Sequence, residues 1–227
     1  MGVFHNENAA ARFSRDTSNR KNALLIPSVL MTATERASRI KLLVFDVDGV
    51  LTDGTLWFIP TGKDANAQPV AVETKGFSAH DGLGIAIGRT AGLKVAIVTK
   101  RQSDTVAVRM RDLKIDYVYQ GQHFKMRAVQ EICTKEGITL DEVAYVGDDV
   151  IDLPVMNHVG LAIAVANARP QVKQMAHWTT TNLPGQGAGR DAIEFILEAQ
   201  GKLASAMATY LDEANEGKVA DIGQGGM

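Results

Sequence analysis

A single cysteine, Cys133, occurs in 227 residues, so no intrachain disulfide can form. A lone thiol of this kind fits a reducing cytosol, and its place beside Val129 and Ile132 in a helical pattern predicts burial rather than reactivity. An excess of charge of one sign is also missing: 24 basic against 26 acidic residues leave a net charge of −2. Without a broad positive field the chain is not expected to bind nucleic acid, and any affinity for an anion has to be local. No Cys/His cluster is present to hold a metal; the histidines at 5, 80, 123, 158 and 177 are scattered and read as structural. His80 alone sits beside a loop of interest, Asp81-Gly82, and there too a surface role is expected. The apolar run Ala23 to Met31 follows Arg12, Arg15, Arg20 and Lys21 and resembles a signal-peptide core, but it is too short to span a membrane. Glu7 and Asp16 fit a transit peptide poorly. No membrane partner and a cytoplasmic location are therefore expected, with residues 1–33 an arm that is flexible or packs on the protein, and Met31 an alternative start.

The chain does have acids placed where apolar runs stop. Lys41 to Thr52 reads Lys-Leu-Leu-Val-Phe-Asp-Val-Asp-Gly-Val-Leu-Thr, a buried-strand pattern ending on Asp46 and Asp48. Open α/β sheets place ligands outside the carboxyl ends of their strands, so this is where chemistry is expected. Gly49 lets the chain turn away, allowing the two carboxyls separate roles. One aspartate can act as a covalent nucleophile without a base to activate it, because carboxylates ionise near pH 4 (pKa ~3.9). A second can protonate a leaving alkoxide and later deprotonate water. The bland alternative is a polar turn after a strand.

Three further pieces follow. Thr99 ends the run Leu93 to Val98, where a hydroxyl can bond a phosphoryl oxygen or merely cap the next helix. Lys125 opens an amphipathic stretch to Glu136 with Ala128, Val129, Ile132 and Cys133 on one face; its ammonium can neutralise a transferring phosphoryl group. Val143 to Val146 runs into Gly147-Asp148-Asp149-Val150-Ile151-Asp152, a second acidic cluster at a strand end. Oxygen-only ligands there suit a hard cation such as Mg2+ rather than zinc. If a helix begins at this point, Asp148 and Asp152 share one face, the first at the metal and the second orienting a lysine.

Taken together, these segments resemble the haloacid dehalogenase superfamily of phosphohydrolases, whose four motifs occur in this order. The resemblance implies an α/β, Rossmann-like three-layer sandwich with a mostly parallel central sheet. It makes Asp46 the nucleophile, Asp48 the general acid/base, Thr99 and Lys125 the phosphoryl-binding pair, and Asp148 the acidic ligand of Mg2+. Asp46 and the backbone carbonyl of Asp48 would complete the metal set, with Asp149 and Asp152 in support. Alternating α/β core fills 34–203, leaving no room for a cap domain; 204–227 reads as a C-terminal tail. Between Asp48 and Thr99, residues of about 55–75 read as a β-hairpin flap: Thr55 to Ile59, a turn from Pro60 to Pro69, then Val70 to Thr74. An isolated hairpin exposing Trp57-Phe58-Ile59 is unstable and prone to aggregate, so it is expected to pack on another copy.

Within the capless members the stretch from Glu35 to Leu203 is similar to the 3-deoxy-D-manno-octulosonate 8-phosphate phosphatases of lipopolysaccharide precursor synthesis. The matching segments are Glu35-Arg36-Ala37, Asp46 to Gly54, His80 to Ile85, Thr99 with Arg101, Tyr119 to Gln122, and Gly147 to Met156. That likeness implies a cytoplasmic homotetramer acting on a small sugar phosphate. It adds Asp81, Gly82 and Arg101 near the substrate, and a tail beginning near Gly187-Ala188 and Arg190-Asp191 that reaches a neighbouring subunit. Lys100 stands where the group has glycine, and it either meets a substrate carboxylate or points to solvent. The hairpin turn is enlarged. Phosphatases of nine-carbon keto-sugar acid phosphates are the nearest alternative; a phosphomutase or a non-catalytic scaffold subunit is a more distant one.

Overall fold

The computed structural model describes residues 31–215. The expectations for the arm before Met31 and for the end of the chain beyond Asn215 fall outside that span. Among the described residues no helix is long and apolar enough to cross a membrane.

The apolar runs pair into one parallel sheet. Its strands are β1 (Leu42–Phe45), β4 (Lys94–Val98), β5 (Tyr117–Tyr119), β6 (Val143–Gly147), β7 (Leu161–Ala164) and β8 (Trp178–Thr179), in the order β5-β4-β1-β6-β7-β8. All four residues of β1 have no solvent exposure, which is why the run shows no polar alternation. Each such side chain contributes about 1.5–3 kcal/mol through burial. The chain leaves β1 toward β4 and β5, then returns to add β6, β7 and β8 on the other side, so the order reverses at β1. A crevice opens at the carboxyl end of such a switch point. Register decides what faces it: Phe45 lies beside Ile97 on one side and Val146 on the other. The next residues on all three strands, Asp46, Val98-Thr99 and Gly147-Asp148, therefore meet at one edge.

Helices cover the sheet in two packed groups. The first contains α1 (Ala33–Ala37), α2 (Ala79–Thr90), α7 (Ala188–Ala199) and α8 (Leu203–Leu211); the second contains α4 (Lys125–Glu136), α5 (Leu153–Met156) and α6 (Pro170–Met175). A capping box starts α1, with Thr32 Oγ1 accepting from the Glu35 amide and Glu35 accepting from the Thr32 amide. In α7, Ala192, Ile193, Ile196 and Leu197 form the buried stripe. Helix α3 (Asp104–Asp112) buries Val106 and Met110. Cys133 is buried on α4 as expected, and that burial pushes its thiol pKa up.

Two expectations need correction. The boundary placed at Leu203 falls at the start of α8, which buries Ala206 and packs on α2, so the domain continues through that helix. The hairpin also differs: β2 (Trp57–Lys63) and β3 (Pro69–Thr74) extend well into the stretch read as turn, with a bulge between Pro60 and Gly62. Asp64 organises the short connection, its Oδ1 accepting from the amides of Asn66 (2.8 Å) and Gln68 (2.9 Å).

Candidate active site

Asp46 begins the loop after β1, where its amide still donates to the Val146 carbonyl (3.1 Å). Its Oδ1 accepts from the Val47 amide (2.7 Å), and its Oδ2 is 2.5 Å from Lys125 Nζ. Lys125, the first residue of α4, reaches inward from the helix start and also donates to Asp152 Oδ1 (2.7 Å). Asp152 is fully buried and fully used. Tyr145 Oη donates to Oδ1 (2.7 Å), while the amides of Asp148 (3.1 Å) and Asp149 (3.4 Å) donate to Oδ2. The helical i, i+4 geometry expected for Asp148 and Asp152 is thus replaced by a 3-10 turn, Val150–Asp152, in which Asp152 folds back on the loop amides. Its predicted work, orienting the lysine, is what these contacts do. Asp149 caps that turn, its Oδ1 accepting from the Val150 amide (2.6 Å).

Asp46, Asp148 and Asp152 each place a carboxylate oxygen within 4.8 Å of the others. Asp48, expected to offer a cation its backbone carbonyl, turns its side chain elsewhere: it pairs with Lys75 and faces Arg101 Nε at 3.6 Å. Its backbone carbonyl remains available, with no hydrogen bond to it among the described residues. Asp152 takes four donors and does not line the cleft, whereas Asp46 and Asp148 do, so these two are the carboxylates open to a cation. Their electrostatics fit one. Burial raises Asp148 to about 7, helped by the nearby charges of Asp152, Asp46 and Asp149. Burial likewise raises Asp46 to about 6, against the pull of Lys125. Desolvation works against the ammonium of Lys125, but Asp46 and Asp152 outweigh it and its pKa is raised. Gathered carboxylates with one lysine between them suit an oxygen-seeking divalent ion.

These groups open onto a cleft of about 430 Å3 lined also by Thr99, Lys100, Arg101 and His123. Thr99 is held by its backbone, its amide donating to Tyr119 (2.9 Å) and its carbonyl accepting from Gln122 (2.9 Å). Lys100 and His123 are exposed at the rim with no ion pair among the described residues. Arg101 is paired with Glu73.

Asp81 and Gly82, expected near the substrate, do not line this cleft. They lie in the first turn of α2, where Asp81 is 3% exposed and turned toward α7, its Oδ1 accepting from the Arg190 amide (2.9 Å). Burial raises its pKa to about 6. The segment Gly187 to Asp191, expected to begin a tail directed at a neighbour, instead starts α7 and packs on α2 of its own chain. His80 is exposed on α2 away from the cleft. His123, dismissed with the other histidines, lines it. Lys75 and Glu73 were also missed; nothing in their local sequence separates them from ordinary surface charges.

The comparisons agree with this geometry. Residues 96–187 match the family described as haloacid dehalogenase-like hydrolase. The 3-deoxy-D-manno-octulosonate 8-phosphate phosphatase of Escherichia coli K12 is 42% identical over 171 residues, covering 75% of this chain and 86% of that one. The crystal structure of the Yersinia pestis phosphatase of the same name aligns with a TM-score of 0.68 at 39% identity, covering 76% of this chain and 88% of that one. That of Moraxella catarrhalis, in complex with magnesium ion, phosphate ion and KDO, gives 0.71 at 35% identity, covering 78% and 97%. With a sheet that reverses at β1, acids gathered at its edge and relatives matched over most of their length, the chain belongs to the haloacid dehalogenase-like hydrolases, in the capless family of 3-deoxy-D-manno-octulosonate 8-phosphate phosphatases.

Proposed function

We propose that the chain is a Mg2+-dependent phosphomonoesterase that hydrolyses 3-deoxy-D-manno-octulosonate 8-phosphate through an aspartyl-phosphate on Asp46. The observation that carries this reading is the contact set of Asp46, a buried carboxylate beside Asp148 whose Oδ2 meets Lys125, itself locked by Asp152. Asp46 attacks phosphorus in line. Asp48 gives a proton to the sugar oxygen as the P–O bond breaks, then takes one from the water that cleaves the acyl phosphate. Thr99 and Lys125 hold the phosphoryl oxygens. Mg2+, held by Asp46, Asp148 and the Asp48 carbonyl, supplies further charge neutralisation when bound. Hydrolysis of phosphate monoesters is so slow unaided that the barrier must fall by on the order of 20 kcal/mol, and acid catalysis worth 10²–10⁴-fold cannot account for it. Charge neutralisation and alignment therefore carry most of the effect.

A substrate with a carboxylate as well as a phosphate suits the rim, where Lys100 and His123, without an ion pair among the described residues, stand beside Arg101. The protein acts as a homo-oligomer, a tetramer, in the cytoplasm. Supporting the assembly, both faces of the ribbon are bare, with Trp57 61%, Phe58 56% and Ile59 57% exposed. The lone reduced-type cysteine fits the compartment.

Phosphate release is to be measured over a panel of eight-carbon and nine-carbon keto-sugar acid phosphates and neutral sugar phosphates, with Mg2+ and with chelator. The eight-carbon 8-phosphate should give the highest kcat/KM, and Asp46→Asn should abolish turnover. Preference for a nine-carbon substrate would overturn the substrate assignment; turnover by Asp46→Asn would overturn the nucleophile.

A further inference from the structure

Lys75 follows β3 directly, and its side chain has 0% exposure. An ammonium is kept out of water only where partners compensate for lost hydration. Here there are two: Nζ donates to Asp48 Oδ1 and lies 3.1 Å from Glu73 Oε1. The base of the ribbon is itself fixed, since Thr105 Oγ1 of α3 donates to the Glu73 carbonyl (3.1 Å) and Glu73 also pairs with Arg101. Among the described residues Lys75 is the sole hydrogen-bond donor to the Asp48 carboxylate. Arg101 Nε faces the other oxygen at 3.6 Å, beyond hydrogen-bond length.

We propose that Lys75 is a positioning residue for Asp48: by holding Oδ1 it sets the carboxyl rotamer and leaves Oδ2 as the oxygen that exchanges the proton with the leaving group. This rests on the reading of Asp48 as general acid/base. It explains why Asp48, only two residues from Asp46, turns away from the acidic cluster. It also makes the flap part of the proton-transfer apparatus, because the residue that aims the acid is supplied by the ribbon rather than by the sheet.

The test compares kcat/KM, which reports steps through phosphoryl transfer to Asp46, for two leaving groups at saturating Mg2+. A sugar alkoxide needs a proton as it departs, whereas p-nitrophenolate does not. Lys75→Met should lower kcat/KM for the sugar phosphate on the order of 10²-fold while changing that for p-nitrophenyl phosphate by only about 3-fold, in keeping with the size of general-acid effects. Lys75→Arg should restore most of the loss, and Lys75→Gln, which keeps a donor without charge, should fall between and serves if the Met variant does not fold. Equal losses on both substrates would mean a merely structural role, and no loss on either would mean that Asp48 needs no such hold; both overturn the inference. Asp48→Asn in the same assay separates the two levels. If it discriminates between leaving groups and the Lys75 variants do not, the positioning inference alone fails; if it does not discriminate, the acid/base assignment fails with it.

Discussion

Gly49 offers a sharp test of how the acidic cluster is built. Its φ is +78°, and a Cβ placed there would lie 2.3 Å from Asp148 Oδ2 and 2.7 Å from its Cγ. Gly49→Ala therefore has two separable effects. Left-handed backbone costs an L-residue about 1–2 kcal/mol. In a domain of this size that lowers Tm by about 2–8 °C. The second effect is local: Asp148 must retreat by about 1 Å to reach ordinary contact, and displacements of that size can cost on the order of 10² in rate. Gly92→Ala isolates the first effect, since Gly92 has φ +83° and nothing within 4 Å of the position its Cβ would take. Calorimetry and phosphate-release kinetics across a Mg2+ titration should give similar Tm losses for both variants. Only Gly49→Ala should lose kcat/KM by about 10²-fold and require more Mg2+. If the two variants behave alike in kinetics and metal dependence, the close packing of β1 loop against Asp148 does not govern the site.

Two further outcomes follow from the same structure. Burial raises Asp46 to about 6 and Asp148 to about 7, whereas an unfolded chain ionises both near pH 4 (pKa ~3.9). Between these limits these two groups hold more protons in the folded state, so their contribution to the stability of the metal-free protein falls as pH rises from about 4 to 7. Melting in chelator should show wild type losing stability relative to Asp148→Asn across this window, and Mg2+ should reverse the loss at neutral pH; a wild type that gains on the variant as pH rises contradicts the clustering argument. For the ribbon, Phe58→Glu puts a charge on an exposed apolar strand distant from the sheet. Sedimentation should show a wild-type assembly and a smaller species for the variant with the core still folded, and an unchanged mass would remove the ribbon from the interface.

Much of the sheet and its catalytic edge was legible because apolar runs such as Leu42 to Phe45 and Val143 to Val146 stop at acids, a one-dimensional signal of a buried strand meeting a site. Lys125 was legible as the first residue of an amphipathic stretch, and the structure brings it to Asp46. Asp152, expected to share a helix face with Asp148 and orient a lysine, does meet Lys125, but a 3-10 turn rather than an α-helix carries it. Asp81, read as part of a loop, sits in the first turn of α2, and the direction of its side chain, toward the start of α7, depends on a helix more than a hundred residues later. Lys75 and His123 had no local mark at all: a lysine next to a strand reads as solvated until a remote carboxylate is shown to bury it.

Apolar runs and periodicity thus marked the central strands, the ribbon, the helix from Lys125 and the acids at the strand ends, since these depend on each side chain's own polarity and its neighbours in order. Tertiary structure alone decided by which turn Asp152 reaches Lys125, that Asp48 is held by the ribbon through Lys75, and that Asp81 belongs to a helix contact. Those outcomes are set by strand register and side-chain direction between segments far apart in the chain, where a shift of one residue would change every partner.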